Sequence, residues 1–192
     1  MSSYEQNNFG EVITAHITSF KPVNCVELGV LDGYSTLSIA RGLLENGHGY
    51  LNAYDLFEDY PFKHGMKTEV EKKIKDLGIP RGSVAVYIHK LDAYEAHNQY
   101  ANNTVHFLHV DISNTGETVR RIMESWDPKM VQGGIILFEG GTEERDQVDW
   151  MIRYNKEPIK PEIEKNPIIN EKYVYGTYLD FPGITVLLKK RD

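Results

Sequence analysis

The sequence has little that would carry it across a membrane, onto nucleic acid or into an oxidising compartment. One cysteine, Cys25, stands in 192 residues, so no internal disulfide can form. It lies inside an apolar run, which reads as a buried, inert thiol rather than a nucleophile. No apolar stretch approaches the ~20 residues that a bilayer crossing requires. The opening MSSYEQNNFG has neither the basic nor the apolar region of a secretory leader. Basic residues are the minority: 21 Lys and Arg against 28 Asp and Glu give a formal net charge of −7. That balance argues against general binding to nucleic acid or anionic membranes, which calls for clustered Lys and Arg. The small basic cluster Lys189, Lys190, Arg191 reads as a solvated tail. The expectation is a cytoplasmic, soluble protein with no repeat, no low-complexity tract and no internal boundary: one domain over 1–192.

What is present is an alternation of short apolar runs and amphipathic ones. Predicted helices cover Val12 to Phe20, Ser35 to Leu44, Lys67 to Leu77, Ala93 to Tyr100, Gly116 to Trp126 and Glu143 to Tyr154. Predicted strands cover Asn24 to Leu28, Tyr50 to Phe57, Val84 to His89, His106 to Val110 and Gly134 to Phe138, the last behind a Gly-Gly turn. A connection marked by Pro158, Pro161 and Pro167 follows. Two β-rich runs, Tyr173 to Leu179 and Ile184 to Leu188, then flank the turn signal DFPG. Five β-α repeats followed by a hairpin predict an α/β, Rossmann-like doubly wound sheet. Its seven strands should be mostly parallel, with an antiparallel C-terminal hairpin strand.

In such a sheet, ligands bind beyond the carboxyl ends of the strands. The first such end is ELGVLDGYSTL, Glu27 to Leu37. Glycine there allows a sharp turn and close backbone approach. A dinucleotide loop would need G-x-G-x-x-G, but Leu31 stands between Gly29 and Gly33. Glu27 would repel a pyrophosphate and welcome an ammonium group. These features favour S-adenosylmethionine over a nicotinamide dinucleotide.

The same stretch resembles the first motif of class I S-adenosylmethionine-dependent methyltransferases. It is most similar to the catechol O-methyltransferase-like and macrolide-sugar O-methyltransferase-like branches, which carry an ELG-x-x-x-GYS version. The terminal hairpin is similar too. The resemblance implies that Glu27 lies near the methionine amino group. Gly29, Leu31 and Gly33 would form the loop against methionine and ribose, with Tyr34 and Ser35 opening the next helix; Ser35 would offer an N-cap-type hydroxyl or a carboxylate contact. It places Asp55, with Leu56 beside it, at the end of the second strand, where an acid can accept both ribose hydroxyls. Asp92 and Ala93 match the position that touches adenine; the plainer role for Asp92 is the N-cap of the helix that begins at Ala93.

In metal-dependent members of those branches, acids at the ends of the fourth and fifth strands hold Mg²⁺ or Ca²⁺ beside the methyl acceptor. The resemblance carries this over to Asp111 and Glu139, with Asn114 as a further oxygen. The pattern departs at Ser113, Thr115 and Gly140. Asp111 is also the candidate catalytic residue, as base or metal ligand, with His64 as a second. His109, beside Asp111, should point into the core by strand alternation. The loop F-x-x-Y-P-F, Phe57 to Phe62, either lines the acceptor pocket or packs its own aromatics. The expected activity is O-methylation of a small-molecule acceptor, with a second copy of the chain as a partner left open. The alternatives are a binding protein on the same fold that has lost catalysis, and a NAD(P)-linked oxidoreductase.

Overall fold

A computed structural model describes residues 3–191. The chain forms two compact units, which part after Ala96. Together they hold seven strands of a mixed, mostly parallel sheet.

In the first unit, α1 (Ser3–Gln6) and α2 (Phe9–Phe20) precede β1 (Asn24–Leu28), α3 (Tyr34–Asn46), β2 (Gly49–Asp55), α4 (Lys67–Asp76) and β3 (Val84–Lys90). The strands are parallel, with β2 between β1 and β3. Every residue of β1 is buried, as a central parallel strand requires. Helix α2 begins at Phe9, earlier than its apolar periodicity predicts. Its first turn carries Gly10, and a Cβ there would lie 2.7 Å from both Tyr34 Oη and Ser38 Oγ. Gly42 of α3 faces Ile17 equally closely, 2.6 Å from Ile17 Cβ to its would-be Cβ. These two glycines let α2 and α3 approach closely, burying Ile13, Ile17, Ile39 and Leu43 completely. The helix expected over Ala93 to Tyr100 is only a 3₁₀ turn at Ala96–Gln99, which falls across the boundary between the units.

In the second unit, β4 (Val105–Val110), α5 (Gly116–Trp126) and β5 (Met130–Glu139) lead to four short helices and a hairpin. The helices are α6 (Glu143–Asp146), α7 (Asp149–Arg153), α8 (Ile159–Lys165) and α9 (Pro167–Lys172), and the hairpin is β6 (Tyr173–Tyr178) with β7 (Ile184–Lys189). Strands β4 and β5 are parallel, and β7 lies antiparallel between β5 and β6. Helix α5 has the predicted bounds, capped by Thr115, whose Oγ1 accepts the Thr118 N–H.

Three expectations are corrected in this unit. Gly133 and Gly134 do not form a turn before β5; the strand runs through them with a shift of register, and Gly133 sits at φ +75°. The single helix over Glu143 to Tyr154 is broken in two. The proline-marked connection is helical: Pro158 caps α8, Pro161 lies in the first turn of α8, and Pro167 opens α9, positions where a missing N–H costs nothing. The Asn166 side chain caps α9 by accepting the N–H groups of Ile168 and Ile169.

A buried acid fastens the hairpin to α5. Asp127 is 3% exposed and takes Lys172 Nζ at 2.6 Å, Lys189 Nζ at 3.0 Å and the Tyr173 hydroxyl at 3.0 Å. Burial pushes its carboxyl upward, but the two ammonium groups and the phenol outweigh this and hold it below the ordinary carboxylate range.

Candidate functional site

The loop at the end of β1 is built on left-handed backbone. Gly29, Leu31 and Gly33 all have positive φ, at +90°, +51° and +86°. For Leu31 this left-handed conformation is a strain that needs outside support. The support is Asp55, at the end of β2. Its Oδ2 accepts the backbone N–H of Val30 at 2.7 Å and of Leu31 at 3.0 Å, and its Oδ1 accepts that of Phe57 at 2.7 Å. A carboxylate has about four acceptor positions. Three are occupied here, so Asp55 has room for one further hydroxyl rather than the two expected of it.

Other loop contacts fix the same segment from the side. A Cβ at Gly65 would collide with the Leu31 carbonyl oxygen, so that stretch of backbone lies directly on the loop. Val70 of α4 packs against Gly33, with Cγ1 3.1 Å from where a Cβ would stand. Lys73 Nζ donates to the Asp32 carbonyl at 2.7 Å.

Glu27 is wholly buried and accepts the Thr36 hydroxyl at 2.5 Å, so its carboxylate lies against the first turns of α3. The N-cap of α3 is Gly33, with no side-chain cap, which corrects the capping role expected of Ser35; Ser35 is buried inside the first turn. The Tyr34 hydroxyl is packed beneath Gly10 of α2. Leu56 continues the chain from Asp55 in a helical conformation and leads into a 3₁₀ turn.

The helix that Asp92 would cap is not formed, and Asp92 bonds instead within a turn. Its Oδ1 accepts the Tyr94 N–H at 2.9 Å, and its carbonyl accepts that of Glu95 at 3.0 Å, while Ala93 is buried within the turn. His64 is exposed, with Nδ1 2.8 Å from the Phe62 carbonyl. The aromatic loop packs on itself: Tyr60 and Phe62 meet edge to face at 5.5 Å, and Phe57 is buried. Phe62 nonetheless remains 72% exposed.

The second unit gathers the other acids. Asn114, 1% exposed, donates from Nδ2 to Asp111 Oδ1 at 3.2 Å and to Glu139 Oε2 at 3.0 Å. Arg145 Nε donates to Glu139 Oε1 at 3.1 Å, and its guanidinium lies 5.3 Å above the Trp150 ring. Gly140 has φ +103°, and a Cβ there would stand 2.6 Å from Ile159 Cδ1. His109 is fully buried, as strand alternation predicts.

A family described as a methyltransferase domain matches residues 26–139, more than half of the chain. The chain belongs to that methyltransferase-domain family. No curated protein matches the sequence. Among solved structures, this methyltransferase-family chain is similar in fold to the Podospora anserina methyltransferase PaMTH1 with bound S-adenosylhomocysteine. Identity is 16%, coverage 100% of this chain and 80% of that one, and TM-score 0.66. A Geobacter sulfurreducens methyltransferase is 12% identical over 98% of this chain and 84% of its own, with TM-score 0.67. A Staphylococcus aureus protein named as a candidate caffeoyl-CoA O-methyltransferase is 13% identical over 97% and 88%, with TM-score 0.65. At these identities the likeness shows the shared fold: a Rossmann-like α/β sheet, mostly parallel, with an antiparallel C-terminal strand.

Three members of this methyltransferase's polar framework escaped the sequence reading: Thr36 on Glu27, Arg145 on Glu139, and the backbone N–H groups on Asp55. Thr36 lies nine residues beyond Glu27, and i-to-i+9 across a turn has no sequence signature. Arg145 could have been flagged as a basic residue shortly after a strand-end acid.

Proposed function

We propose that the chain acts as one methyltransferase domain, binds S-adenosylmethionine at the loop beyond β1, and methylates an oxygen of a small-molecule acceptor. The observation that carries the reading is the Asp55 carboxylate. It holds a left-handed loop of the family's glycine motif and keeps one acceptor position for a ribose hydroxyl. The donor and acceptor chemistry of the site fits the cofactor: a strand-end acid with a vacant acceptor position, a glycine-turned loop, and a second acid at Glu27 to balance an ammonium.

When bound, S-adenosylmethionine supplies an activated methyl group on a sulfonium. This chain's own contribution is to hold and orient. Gly29, Leu31 and Gly33 shape the loop; Asp55 and Leu56 fix its far side; Asp92 and Ala93 form the turn assigned to the adenine end. Asp111 is the residue assigned to the acceptor's proton, a role that typically contributes ~10²–10⁴-fold. His64 is retained as the second candidate for it. The likeness to the Staphylococcus aureus protein supports an oxygen acceptor.

A second reading, cofactor binding without transfer, is favoured by one observation: Asp111 and Glu139 are both engaged by Asn114. One measurement tests what the two readings share, and a second separates them. Calorimetric titration with S-adenosylhomocysteine should show binding in both, weakened at least tenfold by Asp55→Ala. Release of S-adenosylhomocysteine from S-adenosylmethionine across a panel of hydroxylated acceptors should occur only in the first. Binding of NAD in place of either would refute both.

A further inference from the structure

The acids Asp111 and Glu139 occupy the strand ends where metal-dependent methyltransferases place a hard divalent cation. In this chain they do not suit one. Mg²⁺ is commonly held by one or two protein carboxylates with waters completing its shell, which requires carboxylate oxygens free to face it. Among the described residues, no group of three or more His, Cys, Asp or Glu side chains could hold a metal ion. The two carboxylates are instead bridged by N–H groups: one Asn114 amide nitrogen contacts both, within 3.2 Å. The opposite amide orientation would set a carbonyl oxygen against two carboxylate oxygens at those distances.

The remaining Glu139 oxygen is taken by Arg145, whose side chain is 7% exposed. The guanidinium sets a positive charge directly against Glu139. It is fixed there by the Trp150 ring and by the Thr142 cap on its backbone N–H. A divalent cation would have to displace Asn114 and settle against a buried positive charge. The next position along the chain offers no replacement ligand, because the left-handed backbone at Gly140 and its contact with Ile159 leave no place for a side chain.

We infer that Arg145, with Asn114, permanently fills the electrostatic role of the divalent cation, so that the Asp111–Glu139 pair binds no metal. The inference goes beyond methyl transfer and does not depend on it, since it is read without acceptor or turnover. Chelator-treated protein is titrated with Mn²⁺, following free Mn²⁺ by electron paramagnetic resonance. Wild type and Arg145→Lys, which keeps the charge, should show no saturable uptake up to about 1 mM, the weak end of oxygen-ligated sites. Arg145→Met, confirmed folded by circular dichroism, should gain a saturable Mn²⁺ site that a further Asp111→Asn change removes. Saturable binding by wild type that Asp111→Asn abolishes overturns the inference and needs no variant at Arg145 to fold. A folded Arg145→Met that takes up no Mn²⁺ overturns it as well.

Discussion

The Asp55 carboxylate holds the backbone N–H of Val30 at 2.7 Å, tying the end of β2 to the loop that leaves β1. Its two oxygens accept three N–H groups in all. Asp55→Ala should therefore cost stability as well as cofactor affinity. Each lost bond to a charged acceptor is worth about 1.5–3 kcal/mol. Urea unfolding should show a loss of at least that size, and S-adenosylhomocysteine affinity should fall about ten- to a hundredfold. Unchanged stability would remove the loop-holding role; unchanged affinity would remove the ribose role.

Asp127 should govern the acid limb of stability. Its folded pKa lies below the ordinary value of ~3.9, held there by Lys172, Lys189 and Tyr173 against the opposing effect of burial. The unfolded chain therefore takes up its proton first as pH falls. The stability this group contributes is fully present above the ordinary value and disappears as pH drops through the depressed one. Asp127→Asn should flatten the stability profile below about pH 4. Asp127→Ala, which takes the carboxylate away from two ammonium groups and a phenol and leaves Lys189 only the carbonyls of Asp127 and Met130, should cost about 3 kcal/mol at neutral pH.

Cys25 should be silent in the native protein. It is completely buried in β1, and burial alone pushes its thiol pKa far upward. Thiolate is the reactive form, so a disulfide reagent should modify the native chain only at the rate of its opening. Addition of denaturant should release one fast-reacting thiol. Rapid modification of folded protein would contradict the placement of β1.

Gly140→Asn places an amide next to Glu139, and it should destabilise rather than confer metal binding. The left-handed backbone costs an L-residue roughly 1–3 kcal/mol, and the collision with Ile159 adds to that. Thermal unfolding with and without Mg²⁺ checks this: a lower midpoint in both, with no recovery on adding metal.

Regular, strongly patterned elements are legible in the sequence alone. The bounds of helix α5 are readable because Gly116 and Pro128 punctuate an amphipathic run, and the hairpin because DFPG separates two β-rich runs. The errors arise where local signals are outvoted from a distance. Pro158, Pro161 and Pro167 read as breakers, yet each stands where a helix tolerates proline. The run from Glu143 to Tyr154 looks continuous, but Asp146 turns its carboxylate to the N–H groups of Ile159 and Lys160, and the helix ends there. At the site, sequence locates the strand-end acids without revealing what they hold. The bonds from Asp55 to Val30 and Leu31 span 25 and 24 residues, and no periodicity encodes such a contact.

A loop held open by a side chain from another strand has a consequence for hydrogen exchange. The amide protons of Val30 and Leu31 are already bonded to Asp55 before any ligand arrives. They should exchange slowly in the ligand-free protein, at rates set by opening of the β1–β2 pair rather than by breathing of the loop. Cofactor binding then has little backbone left to order in this segment, so its entropic cost falls on the ligand's own rotors. The bound and free proteins should differ little in exchange at these two positions, and the difference should concentrate instead in the exposed stretch around Phe62 and His64.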